Sequence, residues 1–127
     1  MRTTRRLETA IEPLPGRGLR RFVGRKSSLE SEEMTVGTAL YADEFGPMEP
    51  HNHAEETVYV LESDRAWVRW GSSPEDLPNR IDLEPGVVIN TPALEWHVFE
   101  WEPGGHLEIL FIYGQVDNIR PEDMETD

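Results

Sequence analysis

Short apolar runs recur along the chain, and they are rich in Val, Ile, Thr, Tyr, Phe and Trp. Such runs are typical of β-strands, because branched and aromatic side chains pack well on a pleated surface. Proline and glycine separate the runs, and helical periodicity is hard to find. The pattern predicts strands over residues 34–41, 56–61, 66–70, 86–90, 97–101 and 107–113.

Many short strands at this spacing predict an all-β fold, either an antiparallel sandwich or a barrel. A chain of 127 residues has room for one such domain. We place the barrel at residues 34–114. A basic arm over residues 1–33, which could contribute edge strands, precedes it, and an acidic tail over residues 115–127 follows it.

Charge divides the chain unevenly, although its net value is −13. Residues 1–26 hold eight basic and two acidic side chains, whereas the rest holds four basic and 23 acidic ones. An acidic body repels a phosphate backbone, so we expect no nucleic-acid partner. The basic arm is expected to lie on its own acidic body or on a second subunit, and a partly disordered tail is the third interpretation.

Composition excludes several kinds of site and favours a location for the protein. The chain has no cysteine, which excludes disulfides, thiolate metal sites and cysteine nucleophiles. No apolar run approaches the roughly 20 residues that span a bilayer, and residues 1–16 lack the apolar stretch of a secretory signal. We therefore expect a cytoplasmic protein with no membrane partner. A homodimer is expected, because small barrels often pair by exchanging edge strands or arms.

The sharpest chemical feature is the segment from His51 to Glu56. Positions i and i+2 of an extended strand point to the same face, so His51 and His53 present two imidazoles side by side. Two neutral imidazoles can bind a metal, because each offers a lone pair. Glu56 opens an apolar strand, and an inward carboxylate there needs a partner such as a cation.

A second feature lies downstream, where the strand over residues 86–90 ends at a turn containing Pro92. His97 begins the return strand after this turn. An antiparallel neighbour often supplies a further metal ligand in this way. The plain alternative is that the three histidines are ordinary polar residues at a barrel mouth.

The two features, in this order, resemble the motifs of the cupin family. The first cupin motif runs glycine, His-x-His, glutamate, glycine, and the chain has Gly46, His51, His53, Glu56 and then Ser63. The second motif runs glycine, Pro-x-Gly, histidine, asparagine. There the chain has Gly86, Pro92 with Leu94, His97 and Trp101.

The resemblance covers residues 34–113 and implies a double-stranded β-helix, the small jelly roll of cupin barrels. It also implies that His51, His53, Glu56 and His97 hold one divalent metal inside the barrel. Fe, Mn, Ni, Co, Cu and Zn all suit this ligand set. Glu55 is the alternative carboxylate, because the gap after His53 is one residue short. Glu56 is preferred because it shares its parity with Val58 and Val60.

Two departures from the cupin pattern change the expected pocket. Leu94 replaces a glycine in the turn before His97, and Trp101 replaces a small polar group. If positions 97, 99 and 101 share a face, Phe99 and Trp101 narrow the pocket and favour a substrate with an apolar or planar part.

Other residues leave two interpretations open. Arg69 could face inward and hold a substrate carboxylate, or face solvent opposite a glutamate. His106 is interpreted as a surface residue. Aromatic residues could line the cavity, but aromatic strand residues more often serve packing. They are Tyr41, Trp67, Trp70, Trp96 and Tyr113.

The first functional hypothesis is a metal-dependent enzyme that acts on a small oxygen-chelating molecule. Three imidazoles and one carboxylate leave coordination positions open, and open positions permit catalysis. Dioxygenase and isomerase or lyase chemistry both fit, since the fold does not select among reactions. The second hypothesis is a module that holds a metal or small ligand without turnover. The third is a purely structural barrel that associates through its arm.

Overall fold

The computed structural model describes residues 1–117 and consists almost entirely of β-structure. Two single turns of 3-10 helix occur, Arg6–Glu8 and Asp43–Phe45. The strands are β1 Glu12–Leu14, β2 Arg17–Gly24, β3 Leu29–Glu30, β4 Thr35–Ala42, β5 Glu56–Gly71, β6 Asn79–Asp82, β7 Val88–Thr91 and β8 Trp96–Tyr113. Among the described residues, no helix is long and apolar enough to cross a bilayer.

One sheet in the order β1-β2-β4-β8-β5-β6 carries the fold, with β7 paired to the first half of β5 and β3 to β2. All of these pairs are antiparallel except β2 with β3. The two longest strands, β5 and β8, pair along nearly their whole length. The predicted antiparallel all-β architecture is confirmed.

Two long strands replace four predicted short ones. The predicted runs 56–61 and 66–70 are the two halves of β5, and 97–101 and 107–113 are the two halves of β8. The register between β5 and β8 shifts at Val60/Glu62 and again at Asp64/Ala66. Extra residues of this kind bend and twist a strand, so the polar stretch between the apolar runs marks a bend in a continuous strand.

The core lies on the inner face of the rolled sheet. It includes Val58 and Val60 of β5 and Leu107 and Ile109 of β8, all at most 1% exposed. These residues follow the two-residue period of a strand, with every second side chain turned inward. Leu19 of β2 belongs to the same cluster. The basic range 1–33 therefore contributes a full strand to the barrel.

The first residues of the chain lie on the acidic body. Arg6 donates to the carboxylates of Glu62 and Glu108, which face each other across β5 and β8. Arg20 donates to Glu108 from β2 at 2.8 Å, and Arg2 donates to the Glu30 carbonyl. These contacts agree with the expectation that the arm lies on its own acidic body. In the range assigned to the acidic tail, residues 118–127 lie outside the described residues.

Candidate metal centre

Backbone pairing brings the three histidines together. His51 lies directly opposite His97 in an isolated antiparallel bridge, and each backbone N–H donates to the other's carbonyl at 3.0 Å. Leu94 donates to the His53 carbonyl at 2.8 Å, and the Asn52 side chain donates to the Leu94 carbonyl. The segment 51–53 is thus held along the turn that precedes His97.

The three rings surround one point. Their centroids lie 5.1 Å apart for His51 and His53, 4.4 Å for His51 and His97, and 4.7 Å for His53 and His97. One potential ligand atom from each ring lies within 4.8 Å of the others. His53 and His97 are 1% and 2% exposed, whereas His51 is half-buried. Three histidines in this arrangement could hold a metal ion.

Backbone carbonyls orient all three rings in the same way. Nδ1 of His51 lies 3.1 Å from the Glu49 carbonyl oxygen, and Nδ1 of His97 lies 2.9 Å from that of Glu95. Nδ1 of His53 lies 2.7 Å from the carbonyl oxygen of Ala54. A carbonyl only accepts, so each neutral ring donates from Nδ1 and keeps its lone pair on Nε2. The outer contacts of metal-binding histidines follow this pattern.

Glu56 adjoins the histidines from the first position of β5. Its Oε1 lies 3.5 Å from Nε2 of His53, and the residue is 5% exposed. It shares its inward face with Val58 and Val60. Glu55 is exposed, and its carboxylate accepts a hydrogen bond from Asn90. The structure thus places Glu56 next to His53, while the group of potential ligand atoms that lie within 4.8 Å of one another comprises the three histidines.

The turn before His97 keeps a conformation that favours glycine. Leu94 has a φ of 68°, in the left-handed region where a side chain with a Cβ is strained. Its backbone N–H and carbonyl are both engaged by the 51–53 segment. The replacement of glycine by Leu94 therefore leaves the turn in place and adds strain to it.

Aromatic side chains lie beyond His97 on the same face of β8. Phe99 is 2% exposed, and its ring centroid lies 6.2 Å from that of His97 and 5.2 Å from that of Tyr41. The Trp101 ring follows at 6.2 Å from Tyr41. The Trp101 indole donates to Asp43 at 2.7 Å. Positions 97, 99 and 101 do share a face: Phe99 packs in the core beside His97, and the partly buried Trp101 lies beyond it against Tyr41.

Asp43 links the 3-10 turn Asp43–Phe45 to β8 through two hydrogen bonds. Its carboxylate accepts from the Gly104 backbone N–H and from the Trp101 indole, each at 2.7 Å. These two hydrogen bonds, the Gly104 one first, lower the pKa of Asp43 below its usual range. The charged form therefore accepts both donors at neutral pH and holds the Trp101 ring in place.

A cavity of about 830 Å³ reaches Glu56 from the side of β2 and β4. Tyr41 and Tyr113 line it near Glu56, and Leu19, Ala39 and Phe111 form its apolar wall. The Tyr113 ring packs edge-on against His53, with centroids 5.4 Å apart. The volume lies in the range of pockets that enclose small organic molecules.

Arg69 and His106 lie outside this site. Arg69 forms two hydrogen bonds with Glu100, at 2.6 and 3.0 Å, so the solvent-side alternative with a facing glutamate is the one that the structure contains. The same pair raises the pKa of Arg69 and lowers that of Glu100. His106 is half-exposed and lies 3.9 Å from Glu62.

Of the aromatic candidates, Tyr41 and Tyr113 line the cavity, whereas Trp67 donates to Glu100 and has Arg80 stacked 4.2 Å from its ring centroid. Arg17 and Arg21 also line the cavity, although the sequence pattern predicted them only as part of the basic arm. The available signal was their alternation with Leu19 at spacing two.

No protein-family model matches the sequence, and the comparison with curated proteins found no match either. Solved structures do match. The polyketide cyclase RemF from Streptomyces resistomycificus superposes with a TM-score of 0.69 at 22% identity, over 88% of this chain and 78% of that one. A protein from Planctomyces limnophilus gives a TM-score of 0.70 at 17% identity, over 97% and 94%.

Enzymes with other reactions share the same architecture. Hydroxypropylphosphonic acid epoxidase from S. wedmorenis superposes with a TM-score of 0.62 at 15% identity, over 88% of this chain and 58% of that one. At these identities the comparison establishes the fold alone. The rolled antiparallel sheet, its two motifs and these structural neighbours together show that the chain has the fold of the cupin barrels.

Proposed function

We propose that the protein is a metal-dependent enzyme that acts on a small oxygen-chelating molecule. In this proposal His51, His53, Glu56 and His97 hold one divalent transition metal. The observation that supports it most directly is the convergence of three imidazoles whose Nδ1 atoms all contact backbone carbonyls. In that arrangement each neutral ring keeps its lone pair on Nε2, and the carboxylate of Glu56 lies 3.5 Å from Nε2 of His53.

In this proposal different residues of the chain position the metal ligands, exclude water and leave room for the substrate. A bound divalent metal supplies a Lewis acid that polarises a carbonyl or hydroxyl oxygen of the substrate. The Glu49, Ala54 and Glu95 carbonyls fix the histidine rings. Phe99 and Tyr113 flank the histidines with aromatic surface, which limits water there. The cavity that ends at Glu56 provides room for the substrate.

Metal analysis of the purified protein tests the ligand set. We expect about one transition-metal ion per chain in the wild type and loss of that metal in the His51→Ala/His97→Ala variant. His106→Ala is the matched control, because this histidine lies beside Glu62, away from the other three. Full metal content in the double variant would refute the ligand assignment.

Turnover assays test the enzymatic part. The metal-loaded protein would be screened with diols, hydroxy acids and enols while dioxygen consumption and product formation are followed. Dioxygen uptake would assign oxygenase chemistry, and product without uptake would assign isomerase or lyase chemistry. Metal binding without turnover across the panel would favour the alternative, a non-catalytic module that holds a metal or small ligand.

The predicted homodimer and the cytoplasmic location belong to the same proposal. Light scattering at micromolar concentration tests the dimer, and a monomer there would contradict it.

A further inference from the structure

The inner face of β2 carries positive charge into the barrel. Leu19 is 8% exposed and belongs to the core, so its neighbours at spacing two, Arg17 and Arg21, share its inward face. Arg20, one position away, points to the opposite face and bonds Glu108. Both Arg17 and Arg21 line the cavity that reaches Glu56.

Small residues of β4 lie opposite the inward-facing residues of β2. Gly37 lies opposite Arg21 in the register of β2 and β4, and Ala39 lies opposite Leu19. A Cβ on Gly37 would come within 2.8 Å of the Phe111 ring, which packs over this position. Phe111 therefore forms a close-packed apolar part of the cavity wall at this position.

The charge of the cavity is opposite to that of the protein. Its described lining includes four basic residues, Arg17, Arg21, Arg25 and Lys26, against the two acids Glu56 and Asp117. Four of the chain's 12 basic residues are thus gathered at one cavity of a protein with a net charge of −13. A concentration of one sign in a low-dielectric cleft focuses the field and attracts ligands of opposite charge.

Two of these basic side chains, Arg21 and Arg25, form hydrogen bonds with acidic neighbours. Arg21 donates to Glu12 through Nε at 2.7 Å, and this bond lowers the pKa of Glu12. Within residues 1–117 the Arg21 side chain forms this hydrogen bond through Nε. Its two Nη groups can therefore donate to a ligand. A guanidinium has five N–H donors in a planar fork that matches a carboxylate.

We propose that the cavity binds an organic acid with a planar or apolar centre. The acid group is held by Arg17 and Arg21, the centre packs against Leu19, Ala39 and Phe111, and the other end reaches Glu56. This inference rests on the proposed function for what happens at the metal, but binding of the acid group by the two arginines needs no metal.

The test uses metal-free protein and two fluorescent probes of the same shape, 1-hydroxy-2-naphthoate and its neutral amide, 1-hydroxy-2-naphthamide. We expect the acid to bind at least tenfold more tightly than the amide, with a preference that decreases as salt is added. Equal affinity for the two probes would refute the inference. This comparison uses the wild type and is independent of any variant's folding.

Arginine variants then locate the anion site. Arg17→Met and Arg21→Met, checked for native circular dichroism and melting, should each weaken binding of the acid about tenfold and leave the amide unaffected. Arg80→Met is the matched control, since Arg80 stacks on Trp67 and does not line the cavity. Equal loss for both probes, or an equal loss in Arg80→Met, would contradict the assignment.

The two proposals fail in different ways. A protein that binds no metal but prefers the acid would refute the metal-dependent function and retain the anion site. A protein that binds metal but treats acid and amide alike would do the reverse.

Discussion

Within residues 1–117 two glutamates are buried, at opposite faces of the same pair of strands, and their surroundings differ. Glu108 is 3% exposed on the outer face, where Arg20 and Arg6 both donate to its carboxylate. Glu56 is 5% exposed on the inner face, beside Nε2 of His53. Each residue carries a carboxylate out of water, which costs free energy unless a partner compensates it.

The difference lies in the compensating group. The guanidiniums around Glu108 are permanently charged and belong to the chain, so that cluster is complete as a structural element. The imidazoles near Glu56 offer lone pairs in their neutral form, and a metal ion complements both lone pairs and carboxylate. Burial raises the pKa of Glu108, against the opposing effect of Arg6 and Arg20. The comparison shows that burial of an acid does not by itself indicate a metal site. The neighbouring side chains must also be of a type that binds metals, as His53 is beside Glu56.

The largest expected effect concerns the outer cluster. Arg20→Met removes a 2.8 Å bond to Glu108 from a side chain that is 15% exposed, and should lower the free energy of unfolding by about 2 kcal/mol, because Arg6 still donates to the carboxylate. Arg5→Met is the control: this side chain is 81% exposed, pairs only at 3.7 Å with Glu8, and should cost less than about 0.5 kcal/mol. Urea denaturation measures both. Equal losses would show that Glu108 does not depend on Arg20.

The second effect concerns the inner cluster. Glu56→Gln keeps the shape of the side chain but removes its charge, and should weaken Zn²⁺ binding at least tenfold, about 1.4 kcal/mol. Glu55→Gln, at the adjacent exposed position, should leave the affinity unchanged. Competition with a chromogenic chelator measures both constants. Loss in Glu55→Gln alone would identify the other carboxylate as the ligand.

A smaller effect is expected in the turn that places His97 opposite His51. Leu94→Gly should raise the free energy of unfolding by about 0.5–1 kcal/mol, because relief of the left-handed strain exceeds the entropy cost of glycine. Ala93→Gly has no such strain to relieve and should be destabilising by about 0.5–1 kcal/mol. A thermal melt of each variant gives the sign. Destabilisation by Leu94→Gly would mean that the Leu94 side chain contributes more than its strain costs.

The smallest effect concerns Glu100, an acid paired with arginine as Glu108 is, but with a side chain 33% exposed. The hydrogen bonds from Arg69 and then Trp67 lower its pKa, although burial opposes them. The contribution of ionised Glu100 to the free energy of unfolding is therefore complete above the usual carboxyl pKa of 4.5. It is lost as the pH falls through the lowered pKa.

Wild type should exceed Glu100→Gln in stability by about 0.5 kcal/mol at pH 7. This difference should persist to pH 5 and shrink as the carboxyl group protonates below pH 4. Denaturant titrations at several pH values measure it. A difference that grows on acidification would contradict the lowered pKa.

Much of the fold and part of the candidate site could be predicted from local pattern. The apolar runs marked the strands, and the two-residue period placed His51 with His53 and Glu56 with Val58. The local pattern could not distinguish a loop between two strands from a bend within one strand. Glu62 and Arg65 look like a loop in sequence, yet β5 runs through them because β8 pairs on both sides.

The sequence by itself determined which residues alternate, which are ligands in type, and that one all-β domain with an acidic body would form. Only the tertiary structure decided that His97 faces His51, that Arg17 and Arg21 line the cavity, and that Arg69 meets Glu100 outside. The reason is that strand register is set by pairing between distant segments, and one residue of register decides whether a side chain faces the core or water.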